Sequence, residues 1–204
     1  MMKFSDLTLL AGIAFLAGEQ AIALPTPNSA SPFSTPVVPV QMAQSVWKTF
    51  SSSSGGFSVL MPGDPNAEKQ TQATPAGPID TQMFMVDRKQ DLVAYMVAYS
   101  DLPNSLVQQA QQNSTNLQTL LNGVRDGFTE SIRGKVLNQR TIALNGHPGV
   151  EIYLELPGQR MARNRIYLVN KRLYQIVVVV DREKEKNLLK SIDGYLNSFR
   201  LLPQ

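Results

Sequence analysis

Between Val136 and Val180 the chain alternates apolar and polar positions in four runs separated by three turn signals. Val150, Ile152, Leu154 and Leu156 are apolar, and Glu151, Tyr153 and Glu155 stand between them. That period of two marks a strand with one buried face. Ahead of it lies Asn145-Gly146-His147-Pro148-Gly149. Asn and Gly accept positive φ and Pro offers no N–H, so this cluster is expected to interrupt the sheet. Pro157-Gly158-Gln159-Arg160 turns the chain again, and a loop centred on Gln159 predicts a register. It sets Ile152 against Ile166, Val150 against Leu168, Glu155 against Arg163 and Tyr153 against Arg165. A slip of one residue would put Ile152 opposite Arg165, which the buried face forbids. Asn170-Lys171-Arg172 forms the third turn, and Ile176–Val180 is then unbroken and β-branched. Such a run predicts a central strand covered on both faces.

The same pattern read upstream gives shorter strands. Trp47 and Phe50 flank the first, Ser51–Gly56 turns, and Phe57–Met61 alternates into Pro62-Gly63-Asp64-Pro65. Ala67–Thr74 reads as another strand. Thr81–Val86 and Leu92–Ser100 read as a hairpin around Asp87–Asp91. In its second strand Val93, Tyr95, Val97 and Tyr99 share one face, with Leu92, Ala94, Met96 and Ala98 opposite. Neither face carries charge, so both are expected to be covered. A short helix follows Pro103 within Leu102–Asn113. Asn113 or Ser114 caps a helix running to about Arg133, because Leu117, Leu120, Leu121, Val124, Phe128 and Ile132 recur at helical spacing. Gly123 and Gly127 in that helix each cost about 1 kcal/mol of propensity relative to Ala, which points to close approach of the backbone to the sheet. Asp181 caps a last helix, with Glu183 and Glu185 suiting its positive end. Leu188, Leu189, Ile192, Tyr195 and Leu196 form its apolar face, and Phe199–Leu202 packs back on the domain. The order is strands, helix, four strands, helix. It predicts an α+β fold, an antiparallel sheet with a helix on each face.

Composition narrows the chemistry. The 204 residues contain no cysteine and one histidine, His147. Disulfides, thiol catalysis and Cys/His metal sites are excluded together. The formal charge is +3 and the basic residues are scattered, which gives nucleic acid no patch to bind.

Met1–Ala23 reads as a secretory signal: Lys3, an apolar core at Leu7–Leu16, and Ala21-Ile22-Ala23 as an A-x-A cleavage site. Retained rather than cleaved, it would hold the domain beside a membrane, although its apolar run is shorter than the ~20 residues that span a bilayer. The expected compartment is therefore outside the cytoplasmic membrane, in a periplasm. Residues 24–45 are rich in Pro, Ser and Thr without charge and read as an extended, disordered linker. One α+β domain is expected over 46–204.

Four stretches together resemble a known fold. They are Trp47 with Gly56–Pro65, then Leu144–Gly149, then Arg165–Ile176 with its Arg172-Leu173-Tyr174, and Tyr195–Leu201. The chain resembles the Mog1/PsbP-like superfamily, and more closely its small exported bacterial members of unknown function. The resemblance implies an α/β/α sandwich around an antiparallel sheet, usually without enzymatic activity. Known relatives act as protein-binding or assembly modules, including lumenal proteins associated with photosystem II, so the resemblance adds a thylakoid lumen to the expected compartments. The matching motifs are turns and core strands, so no functional residue is carried over.

Candidate chemistry is sparse. Ser51–Gly56 has the glycines of a phosphate loop, but a strand follows it and Lys-Ser/Thr is absent, so it reads as a hairpin turn. His147 stands in a turn without a nearby carboxylate before it. Asp80, Asp87, Asp91 and Asp101 are too dispersed for a calcium site. The sharpest constellation is Glu151, Tyr153, Glu155, Arg163, Arg165 and Tyr167 on one sheet face. Its charges neutralise each other, which argues against a general acid, and cross-strand pairing accounts for much of it. Arg and Tyr also favour recognition surfaces. Polarity on a face that needs cover implies that the covering helix stops short there. The functional expectation is a non-catalytic module with no cofactor and no metal, binding a protein partner through this face. A small-ligand or lipid carrier with a cleft between sheet and helix is the alternative.

Overall fold

A computed structural model describes residues 46–203 except Pro75. The signal and linker read over 1–45 lie outside those residues. The strands are β1 (Lys48–Ser52), β2 (Phe57–Met61), β3 (Asn66–Thr74), β4 (Gly77–Arg88) and β5 (Val93–Asp101). Helices α1 (Asn104–Gln111) and α2 (Ser114–Ser131) follow. The meander is β6 (Lys135–Leu144), β7 (His147–Leu156), β8 (Arg160–Val169) and β9 (Arg172–Asp181). Helix α3 (Arg182–Ser198) and β10 (Arg200–Leu201) follow.

Seven strands form one antiparallel sheet in the order β3-β4-β5-β9-β8-β7-β6. The valine-rich β9 is its middle strand, as its apolar run demands. β1, β2 and β10 form a separate three-stranded sheet, which the expectation of one sheet missed. Each face of the large sheet has its own core. On one, Leu106, Ala110, Leu120, Val124 and Phe128 from α1 and α2 pack on Val150, Ile152, Ile166 and Val177. On the other, Ile192, Tyr195 and Leu196 of α3, with Phe57, Val59 and Met61 of the small sheet, cover Tyr95, Val97, Ile176 and Val178. Leu189 does not join them: it is exposed, because it lies on the flank of α3 that turns away from the core.

Local chemistry sets the ends. Asn113 Oδ1 accepts the Asn116 N–H at 2.8 Å and Asp181 Oδ1 accepts the Glu183 N–H at 2.9 Å, so both helices start where a short acceptor side chain meets the first free amides. The Ser51–Gly56 hairpin is pinned to the large sheet. Tyr174 donates to the Gly55 carbonyl at 2.6 Å and Arg172 to that of Ser54 at 2.8 Å. Gly55 is required there, since a Cβ would strike the Phe57 ring and Ser52 Oγ.

Two turns differ from the sequence reading. The break at Asn145–Gly149 shrinks to Asn145-Gly146, with φ of 50° and 83°, and β7 already begins at His147. Consecutive positive φ values make the tight hairpin turn whose twist matches its strands. Pro148 is tolerated within β7 because it faces Ala143 where the two-residue turn leaves a non-hydrogen-bonded pair. The β7–β8 loop centres on Gly158, not Gln159. It sets Val150 against Ile166, Glu151 against Arg165 and Tyr153 against Arg163, two residues from the expected register. Alternation forbids an odd slip but is blind to an even one, which keeps every side chain on its face. Ile152 and Ile166 do share a core.

Candidate functional site

The six residues singled out from sequence do fall on one face of β7 and β8, but that face is not left bare. Helix α3 lies along it, and the polar row holds the helix down. Arg163 donates to Asp193 at 2.6 Å. Arg165 donates to the Leu196 carbonyl at 2.8 Å and to Asn197 Oδ1 at 2.9 Å. Tyr153 donates to Glu185 at 2.8 Å, and Arg182 pairs with Glu155. The expected retreat of the covering helix is therefore corrected: α3 meets the row with a polar flank. Arg165 also places a cation among the last carbonyls of α3, where the helix dipole is negative.

Glu151 is the hub. Its side chain is 10 % exposed and it accepts from three guanidiniums. Arg140 Nη2 and Nε reach Oε1 at 2.9 and 3.2 Å, Arg163 Nη2 reaches it at 3.3 Å, and Arg165 Nε takes Oε2. Burial alone pushes this carboxyl up. The hydrogen bond and charge of Arg165, the charge of Arg163 and the bond from Arg140 outweigh burial and hold it below the usual carboxylate range. Burial and the bond to Glu185 push the Tyr153 hydroxyl up to about 12. Burial likewise raises Tyr167, whose ring lies across Gly149. Each of these shifts favours the resting form of its group, so Glu151, Tyr153 and Tyr167 are moved away from proton exchange near neutrality.

Arg140, Asp193, Glu185 and Asn197 were missed from sequence, and a signal existed for each. Reading Asn145-Gly146 as a two-residue turn fixes Arg140 opposite Glu151. Glu185, Asp193 and Asn197 recur at i, i+8 and i+12, which lines them along one helix flank.

The other candidates stay apart. His147 opens β7 opposite Leu144 and is half-buried. Asp80 takes Lys69 and Thr71, Asp91 takes Arg88, and Asp101 takes Arg172.

No family model matches the chain, and a comparison with curated proteins found no match. Solved structures are similar. The solution structure of cyanobacterial PsbP (CyanoP) from Synechocystis sp. PCC 6803 superposes with a TM-score of 0.55 over 79 % of this chain and 95 % of that one, at 12 % identity. A Pseudomonas aeruginosa protein of unknown function, PA94, a putative regulator by its description, gives 0.40 over 78 % and 97 % at 10 % identity. A Bacteroides thetaiotaomicron protein gives 0.39 over 77 % of this chain and 49 % of its own at 10 % identity. With α1–α2 on one side of its antiparallel sheet and α3 on the other, the chain has the PsbP/Mog1-like fold.

Proposed function

We propose that the protein is a non-catalytic, exported binding module whose protein partner docks over the seam between α3 and strands β6–β8. One observation carries this reading. Around Glu151 three guanidiniums and two tyrosines gather at a seam that opens to solvent at Arg140, Glu155, Arg182 and Asp193. Arg and Tyr in a half-desolvated setting are the groups that dominate recognition surfaces. Of the six residues read from sequence, Tyr153 and Glu155 reach the rim. Arg163, Arg165, Glu151 and Tyr167 lie beneath it and hold its shape. Export rests on the Met1–Ala23 pattern. The carrier reading has no such support. The space between the large sheet and α2 is filled by Leu120, Val124, Phe128, Ile152, Leu154 and Ile166, all at 0 % exposure.

A photo-crosslinking residue placed at position 155 or 193 of the full chain, in its native host, tests this. Both rim positions should trap one defined partner, and positions 69 and 111, on β3 and α1, should not. Trapping only at the distant positions, or at none, overturns the reading.

A further inference from the structure

We infer that the edge strand β6 presents a docking strip for an acidic, aliphatic segment of a partner protein, with Arg140 taking the partner's carboxylate. This rests on the binding-module reading and names the chemistry of its partner. Three observations carry it.

The first is charge. Lys135 and Arg140 are the only charged residues of β6, both cationic, and no acid on that strand answers them. Pairing β6 in register with a second copy of itself would bring the two Arg140 side chains together, and no acid on the strand offsets them, which disfavours that arrangement. An acidic segment meets the opposite situation.

The second is that Glu151 does not depend on Arg140. It keeps Arg165 on Oε2 and Arg163 on Oε1 when Arg140 turns away. The carboxylate is thus never left buried and unpaired, which is the costly state. Arg163 and Arg165 cannot be released so readily, because each also holds α3. Among the described residues Arg140 is held by Glu151 alone, its side chain is 60 % exposed, and its remaining N–H groups are open to another acceptor.

The third is the apolar company. Ile142 and Leu144 follow Arg140 on the same face of β6 and are only half-buried. Beside them Gly149 carries no side chain, and the Tyr167 ring fills the space above it. A cation followed by two aliphatic positions at strand spacing matches an acid followed by aliphatic residues on the incoming segment.

The test uses the full folded protein, labelled with nitrogen-15, and an acetylated, amidated Glu-Thr-Leu-Thr-Leu peptide, whose acid and two leucines share one strand face, at low salt. Saturable shifts are expected at the Arg140 Nε–H and at the amides of Asn138–Leu144, with the Arg165 Nε–H unmoved. Arg140→Gln should weaken binding about tenfold or more while leaving the thermal midpoint within about 2 °C of wild type. A Lys-Thr-Leu-Thr-Leu peptide should give no shift there. The inference is overturned by any of three results: no saturable shift at Arg140 up to about 1 mM peptide, equal binding by Arg140→Gln, or equal binding of the lysine peptide. Crosslinking at 155 and 193 that persists beside any of these leaves the binding module standing and removes only the acidic segment.

Discussion

Replacing Glu151 with Gln removes one charge from the centre of the α3 clamp and keeps its shape. Three guanidiniums then face a neutral amide, two of them, Arg163 and Arg165, only 18 % and 12 % exposed. Removing one partner of a buried ion pair costs about 3–5 kcal/mol. Arg163 retains Asp193, and Arg165 retains the Leu196 carbonyl and Asn197, so the lower end, about 3 kcal/mol, is expected. For a domain of this size that is roughly 6–12 °C in thermal midpoint. The pH dependence adds a second check. Because the folded Glu151 carboxyl is held low, its stabilisation is fully present above the unfolded value of about 4.3 and is lost as pH falls through the folded value. Wild type and Glu151→Gln should therefore differ at pH 7 and converge under acid. Urea unfolding at pH 7 and across pH 5 to 2 measures both. A difference under about 1 kcal/mol at pH 7, or one that persists unchanged at the lowest pH, refutes the clamp.

Asn113→Ala removes the acceptor for the Asn116 N–H and should cost about 1 kcal/mol by urea unfolding. Gly149→Ala should cost about 1–3 kcal/mol in the same assay, since its methyl would run into the Ile166 carbonyl oxygen and the Tyr167 ring. Asn164 and Gln175 form a buried amide pair at 2.9 Å in which Asn164 Oδ1 has no partner among the described residues. Asn164→Leu alone strands the Gln175 amide and should destabilise by about 1–3 kcal/mol. Asn164→Leu with Gln175→Met should recover most of that, as a double-mutant cycle reads directly.

The faces of the sheet were legible in the sequence because alternation is a local property. Val150 to Leu156 and Val93 to Tyr99 needed no knowledge of their neighbours to be assigned a side. Register was not, since it depends on where a turn closes: Gly158 rather than Gln159 at the centre moved every β7–β8 pair by two. The small sheet was invisible as such. Arg200-Leu201 is too short to carry a pattern and becomes a strand only by meeting Ser58 and Phe57. The polar row was found but given the wrong neighbour. Polar residues on a covered face looked like an opening, whereas α3 answers them with Glu185, Asp193 and Asn197.

The closing strand has a consequence for how the chain is made. Leu60 waits for Ser198, 138 residues later, and the Gly56 carbonyl waits for the Leu202 amide. A ribosome releases the first of each pair long before the second, so Phe57, Val59 and Met61 emerge well before Ile192, Tyr195, Leu196 and Phe199, which complete their core. Part of their hydrophobic surface stays open to chaperones, or to another nascent copy, until α3 and β10 have been made. A chain cut short before α3 would be expected to aggregate even with its large sheet intact.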